Sequence, residues 1–212
     1  MRTKPGKFTS TASSNQLRQE LAQLAARYVA VDGVVDFLQA KRKAAARLGI
    51  QHSQQLPSNK EIEQALLDYQ RLFQAESQPQ TLMRMRETAL AAMQFLHEFK
   101  PRLAGPVADG TATLHSEINL HLYSDTCETV AMLFLDQSIP FLPCDRRIRL
   151  NAANVVQYPA YQFVADGFKI VLIVLPYRDR NQSPVSPIDN QPMRRLNIAE
   201  LQALLSADQP PH

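Results

Sequence analysis

Apolar residues recur at the three- and four-residue spacing of amphipathic helices in the first part of the chain. The first such stretch begins near Asn15, and Gly33 interrupts the pattern. Its apolar face consists of Leu17, Leu21, Leu24, Ala25, Tyr28 and Val29. A second stretch, rich in alanine, extends to about Leu48 and places its lysines and arginines outward. These two stretches predict two helices.

Two more helices are predicted before residue 100. Ser58 and Glu61 have the spacing of a capping box, in which each side chain bonds to the other residue's backbone N–H at the start of a helix. The fourth helix runs from about Gln80 to Phe99. Pro101 ends it, because a proline inside a helix removes a hydrogen bond and clashes with the preceding turn.

Alternation replaces helical spacing after this point, which indicates β-strands. The apolar run "RLAGPV" ends in a Gly-Pro break and is consistent with a first strand. The next stretch, "HSEINLHLYSD", has Ile118, Leu120 and Leu122 on one face and Glu117, Asn119 and His121 on the other. The sequences "RIRLNAANVVQY" and "YQFVADGFKIVLIVLP" predict further strands, and Asp166-Gly167 folds the second of them into a hairpin.

Two helices are predicted within this second half. Asp125 and Glu128 have capping-box spacing at the start of "DTCETVAMLFLDQ". The sequence "NIAELQALL" predicts a short helix near the end of the chain. It lies in a segment that holds six prolines from Pro176 to Pro211, so much of this tail is expected to be irregular.

The order of elements predicts an α+β protein in which N-terminal helices precede a mixed β-sheet domain. Four regions follow from the changes of pattern: a disordered leader at residues 1–14, a helical region at 15–100, an α/β core at 101–180, and a Pro-rich tail with a short helix at 181–212. The helical region is either an independent bundle or a layer packed on the sheet.

Composition restricts the class of protein. The 212 residues are 45% hydrophobic and 20% charged, as in ordinary globular domains. No apolar run approaches the roughly 18 residues that a membrane span needs, so no membrane partner is expected. Cys127 and Cys144 are the only cysteines, too few for a disulfide framework. The basic N-terminus lacks the apolar core of a secretory signal, and a cytoplasmic location is therefore expected.

Positive charge is concentrated at the N-terminus. Residues 1–50 hold nine Lys and Arg against three acids, notably in "KRKAAAR" at residues 41–47, although the formal net charge of the chain is only +3. Either this stretch is the solvated face of a helix, or it is a patch that binds phosphate on a nucleic acid or another partner. The sequence favours the solvated face and specifies no oligomeric state.

The chemistry of the second half is indicated by the segment "AGPVADGTATLHSEINLHLYSD" at residues 104–125. Nucleotidyl transfer needs a backbone turn that admits phosphate and carboxylates that hold Mg²⁺. Residues 103–122 resemble the nucleotidyltransferase superfamily, the DNA polymerase beta-like or minimal nucleotidyltransferase fold. In that family a strand ends in Gly-Ser, and an acid-apolar-acid strand follows about ten residues later.

The match can be followed residue by residue. Gly105 stands at the glycine of the turn, and Glu117 and Asn119 stand at the two metal-binding acids. The stretch "GTATLHSEINL" is similar to the form G-T-A-T-x-x-S-[DE]-I-x-L of a group of bacterial nucleotidyltransferase-like proteins with a degenerate active-site motif. The N-terminal helices and the tail also look similar to that group. The resemblance implies that residues 101–180 are a nucleotidyltransferase-like core.

Candidate site residues follow from the resemblance and from a basic cluster in the β half. The residues expected to bind nucleotide or phosphate are Gly105, Gly110, Thr111, Ser116, Arg147 and Lys169. Arg147 and Lys169 come from the cluster of arginines and lysines there, a pattern that is more typical of solvated strands than of a phosphate-binding cleft. Glu117 and Asn119 are the expected metal ligands, and Mg²⁺ is the expected cofactor.

Departures from the family pattern lower the expected activity. Pro106 replaces the serine and has neither a hydroxyl nor an N–H for phosphate. Asn119 offers a neutral oxygen where a carboxylate is needed, and "FKIVLIVLP", the strand expected to carry a third acid, has none. The sequence therefore predicts weak Mg²⁺ binding, nucleotide as a ligand, and weak or no catalysis. The alternatives are a non-catalytic protein-interaction module and a nucleic-acid-associated accessory protein that uses the basic N-terminal region.

Overall fold

The computed structural model describes residues 8–50, 56–151 and 154–207, with side chains from residue 14 onward. The chain divides into unit 1, Met1–Ala75, and unit 2, Glu76–His212. Residues 1–7 of the predicted leader lie outside the described residues. Residues 8–14, predicted to be disordered, form the start of the first helix.

The described part of unit 1 contains three helices: α1 (Phe8–Ala30), α2 (Phe37–Arg47) and α3 (Asn59–Phe73). Its buried core is formed mainly by Leu21, Ala22, Ala25, Ala26, Ala40, Ala44, Ile62 and Leu66. The alanines carry little side-chain bulk, so they let the helices pack closely. Asp36 caps α2 by accepting the backbone N–H of Leu38 at 2.9 Å.

The predicted capping box is present at the start of α3. The backbone N–H of Glu61 donates to Ser58 Oγ at 3.2 Å, and the backbone N–H of Ser58 donates to Glu61 Oε2 at 2.7 Å. Arg18 of α1 donates to both carboxylate oxygens of Glu61, at 2.7 and 2.8 Å. These hydrogen bonds lower the pKa of Glu61 to about 2, and the largest contribution comes from Arg18.

Glu61→Gln is expected to lower the free energy of unfolding by about 1 kcal/mol at neutral pH, because it removes the ion pair with Arg18 and the negative charge of the capping box. Since the folded-state pKa lies below the usual 4.5, this stabilisation is present above that value and is lost as the pH falls toward about 2. Chemical denaturation at pH 7 and pH 3 measures both effects. Glu20→Gln, an exposed change in α1, is the control, and equal losses in the two variants would contradict the assignment.

Unit 2 contains four helices and six strands among the described residues. The helices are α4 (Ser77–Phe95), α5 (Pro106–Asp109), α6 (Glu128–Asp136) and α7 (Ile198–Ala207). The strands are β1 (Arg102–Ala104), β2 (Ile118–Tyr123), β3 (Leu142–Arg149), β4 (Val155–Ala165), β5 (Phe168–Leu175) and β6 (Arg195–Leu196).

The six strands form one mixed sheet in the order β3-β4-β5-β2-β1-β6. Strands β2 and β5 are parallel, and the other neighbours are antiparallel. The β4–β5 hairpin turns at Asp166 and Gly167, whose φ angles of 51° and 81° suit the tight turn that an Asp-Gly pair predicts. The α+β class, with helices preceding a mixed sheet, is confirmed.

The first face of the sheet is covered by helices. Ile118, Leu120 and Leu122 of β2 are fully buried there with residues of α4 to α7. Phe134 of α6 lies at the centre of an aromatic group, and its ring centroid is 5.1 Å from that of Phe163. This continuous apolar layer fixes β2, so the alternate residues of β2 must point to the opposite face.

The second face is packed differently, by the outer half of the β3–β4 hairpin. Strand β4 pairs with β5 only from Ala165 back to Ala160, and beyond that point it pairs with β3 alone. Tyr158 and Ile148 of this outer half are buried against Val171 and Ile173 of β5. The hairpin therefore lies across the second face and brings β3 close to residues at the start of β2.

Two features of unit 2 differ from the sequence prediction. Helix α4 belongs with the sheet, so the division of the chain falls at Ala75–Glu76 rather than near residue 100. Helix α6 begins at Glu128 with no side-chain cap, because Asp125 Oδ1 instead accepts the backbone N–H of Tyr177 at 3.0 Å. In the part of the chain that the structure describes, no helix has the length and apolar character needed to cross a membrane.

Candidate functional site

The turn after β1 lies beside the strand that carries the candidate metal ligands. Ala104, the last residue of β1, pairs with Asn119 of β2. The next residue, Gly105, has φ 72° and ψ −157°, a conformation that only glycine adopts readily. A Cβ at Gly105 would lie 3.3 Å from Asn119 Nδ2. The structure therefore brings Gly105 and Asn119 together.

The loop between α5 and β2 uses its own polar groups. The backbone N–H groups of Gly110 and Thr111 both donate to the carbonyl of Pro106, at 2.9 and 3.0 Å. The N–H of Thr113 donates to Ser116 Oγ at 2.9 Å, and the N–H of Ser116 donates to the carbonyl of Thr113 at 3.0 Å. These four N–H groups are engaged within the loop, so the structure does not present them to a phosphate.

Glu117 lies just before β2, and its carboxylate is held by two cations. Lys169 Nζ lies 2.8 Å from Glu117 Oε1, and Arg146 Nη2 lies 3.2 Å from Oε2. The Glu117 side chain is only 19% exposed, against 44% for Lys169 and 32% for Arg146. Ile118 and Ile170 pair in the parallel register of β2 and β5, which places the preceding residues, Glu117 and Lys169, side by side.

Of the arginines in β3, it is Arg146 that reaches this site. Arg146 pairs with Tyr158 in the outer half of the hairpin that lies across the second face. Arg147, the predicted phosphate-binding residue, is its neighbour along the strand; it therefore points to the opposite side, where it is exposed. Alternation was visible in the sequence, but only the packing of the hairpin determines which arginine faces Glu117.

The resulting group, which we call the Glu117 cluster, consists of Glu117, Asn119, Lys169 and Arg146. It contains one carboxylate and two cationic side chains, so its formal charge is positive. Asn119 Nδ2 lies 3.5 Å from the carbonyl of Glu117. Among the described residues no group of three or more His, Cys, Asp and Glu side chains is arranged to hold a metal ion. The cluster therefore does not fit Mg²⁺, which prefers several oxygen ligands.

Beyond Asn119, the second face carries polar residues for which the sequence pattern indicates no site. His121 and Tyr123 follow on β2, and Arg102 of β1 pairs with His121. Arg195 of β6 pairs with Ala104 and donates a hydrogen bond to the Tyr123 hydroxyl. Arg195 lies far from the other residues in sequence, and no local signal links it to this strand.

The basic stretch of α2 is partly neutralised within unit 1. Lys43 Nζ lies 2.7 Å from Asp32 Oδ2 and 4.3 Å from the ring centre of Tyr28. Burial lowers the pKa of Lys41. These contacts favour the interpretation of residues 41–47 as a helix face rather than as a nucleic-acid patch.

No family model matches the sequence, and no curated protein matches it.

Proposed function

We propose that unit 2 is a non-catalytic, nucleotidyltransferase-like module that binds a nucleotide phosphate without a divalent cation. The observation that carries the proposal is the double ion pair of Glu117 with Lys169 and Arg146. A Mg²⁺ ion bound to Glu117 would have to displace two cations and remain close to them, at a cost of several kcal/mol at short range. A phosphate group that displaces the Glu117 carboxylate would instead meet two donors already placed side by side.

The absence of further acids in the cluster supports the lack of catalysis. Phosphoryl transfer with two metal ions needs carboxylates that bridge both ions. Asn119 supplies an amide, and β5, which lies beside β2, has no acidic residue. Asp125 accepts a hydrogen bond from Tyr177, and Asp166 accepts one from Thr88 of α4, so these acids are engaged elsewhere.

Lys169→Gln is expected to weaken the binding of a nucleoside triphosphate about fivefold, since it removes one charged hydrogen bond worth about 1 kcal/mol. Calorimetric titration with ATP in EDTA, and again with Mg²⁺, measures the affinity. Lys60→Gln, an exposed change at the start of α3, removes the same charge from unit 1 and is the control.

Two results would refute the proposal. One is binding that occurs only with Mg²⁺, and the other is equal weakening in the Lys169 and Lys60 variants. A third measurement addresses catalysis directly. Incubation with labelled nucleoside triphosphates, Mg²⁺ or Mn²⁺ and a cell extract is expected to give no labelled product, whereas product that disappears in Glu117→Ala would show an active transferase.

A further inference from the structure

A second polar group lies on the same face of the sheet, toward its β6 edge. His121 is 1% exposed. In the described part of the chain, Nδ1 of His121 is the one buried side-chain nitrogen or oxygen atom that has no hydrogen-bond partner. Burial, and then the nearby charge of Arg195, lowers the pKa of His121 to about 4, so the ring is neutral at pH 7. A neutral imidazole buried without a partner costs free energy, and this points to a ligand.

The positive charges around His121 are only partly compensated. Arg195 donates to the Tyr123 hydroxyl and, among the described residues, has no carboxylate within 4.0 Å. Arg102, which pairs with His121, has Glu200 as its ion-pair partner at 3.8 Å, longer than a charge-assisted hydrogen bond. Burial lowers the pKa of Arg195, and the charge of Arg102 acts in the same direction.

The acid that acts on Tyr123, Asp179, is engaged by groups other than these two arginines. Asp179 acts on Tyr123 electrostatically, but its carboxylate is hydrogen-bonded by Tyr158 and lies 3.8 Å from Arg178 Nε. The Tyr123 hydroxyl accepts from Arg195 and donates to no described residue. Its O–H is therefore available to a ligand.

We infer that His121, Tyr123, Arg102 and Arg195 form a binding site for a tetrahedral oxyanion such as phosphate. The two guanidinium groups supply charge and N–H donors, Tyr123 supplies an O–H donor, and His121 supplies an N–H donor in its Nδ1-protonated form. One bound oxyanion gives the unpartnered nitrogen a partner, compensates Arg195 and adds to the long ion pair that Arg102 makes with Glu200. We call this group the Arg195 site.

The Arg195 site does not depend on the proposed function of the Glu117 cluster. His121 is four residues after Glu117 on an extended strand, a separation of about 13 Å along the chain. The two sites share no charged side chain. Each can therefore be removed by a substitution that leaves the other in place.

The test is a titration of the full chain with inorganic phosphate, which is monitored through the side-chain ¹⁵N resonances of the histidines. The signal of His121, identified by its loss in His121→Asn, is expected to shift saturably. Arg195→Gln is expected to weaken phosphate binding at least about fivefold. Arg71→Gln, which removes an equal charge from an exposed position of α3, is the control and is expected to bind as the wild type does.

The variants distinguish the Arg195 site from the Glu117 cluster, and competing anions distinguish tetrahedral oxyanions from carboxylates. Lys169→Gln is expected to retain phosphate binding at His121 even where it loses nucleotide binding. Sulfate is expected to compete with phosphate, and acetate is not. Arg102→Gln, on a different strand, repeats the test should Arg195→Gln fail to fold. A His121 signal that does not shift, or equal phosphate affinity in the Arg195, Arg102 and Arg71 variants, would overturn the inference.

Discussion

Replacing Glu117 with glutamine is expected to tighten the binding of ATP in EDTA by about tenfold. The substitution removes a negative charge that lies within 3.2 Å of both Lys169 and Arg146 and leaves these two cations without their partner. A phosphate that replaces the carboxylate no longer meets its repulsion, which at 5 Å amounts to about 3 kcal/mol near a protein surface before screening by salt. We expect about 1.4 kcal/mol of this repulsion, which corresponds to a tenfold change in affinity, to remain after screening.

The sign of this effect separates the two interpretations of residues 104–125. If Glu117 is a metal ligand, Glu117→Gln must weaken nucleotide binding in Mg²⁺, and Asn119→Asp must strengthen it by adding a second carboxylate. If Glu117 instead neutralises two cations that bind phosphate, Glu117→Gln strengthens binding with or without Mg²⁺, and Asn119→Asp weakens it.

A matched control excludes a general effect of charge. Asp145→Asn removes one negative charge from an exposed position beside Arg146 in β3. Its carboxylate makes no hydrogen bond to Lys169 or Arg146 in the structure, so the affinity for ATP is expected to change less than twofold. Calorimetry on all four proteins, in EDTA and in Mg²⁺, gives the result. Weaker binding by Glu117→Gln in both conditions would contradict the proposal.

Local signals were sufficient to predict most of the elements. The Ser58–Glu61 capping box marks the start of α3, and the alternation of β2 separates Ile118 and its apolar partners from Glu117 and Asn119. The Asp166-Gly167 pair predicts the β4–β5 hairpin, because both residues adopt positive φ. Each of these features depends on residues that are close in sequence.

The composition of the site could not be predicted in the same way. Lys169 meets Glu117 through the parallel register of two strands about fifty residues apart, and Arg146 meets it because a hairpin lies across the sheet. Dependence on tertiary packing also explains why the boundary between the two units was not predicted. Helix α4 has the pattern of the preceding helices, and only its packing on the sheet assigns it to unit 2.

Glycine at position 105 is expected to be essential for the stability of unit 2. Gly105→Ala should lower the free energy of unfolding by about 2–3 kcal/mol, because the backbone there, at φ 72° and ψ −157°, strongly disfavours a Cβ. The added Cβ also lies 3.3 Å from Asn119 Nδ2, closer than ordinary contact. Chemical denaturation followed by circular dichroism measures the loss.

Two comparisons separate the contribution of backbone strain to this loss from that of the close contact with Asn119. Gly167→Ala has a similar positive φ of 81° but no atom within 4 Å of the new Cβ, so a loss of about 1–2 kcal/mol is expected. In an Asn119→Ala background, the cost of Gly105→Ala should fall by the contribution of the close contact, while the backbone strain remains. A loss in Gly105→Ala no larger than in Gly167→Ala would show that the turn relaxes. The expected larger loss means that the turn at Gly105 packs too closely against Asn119, a member of the Glu117 cluster, to admit a side chain.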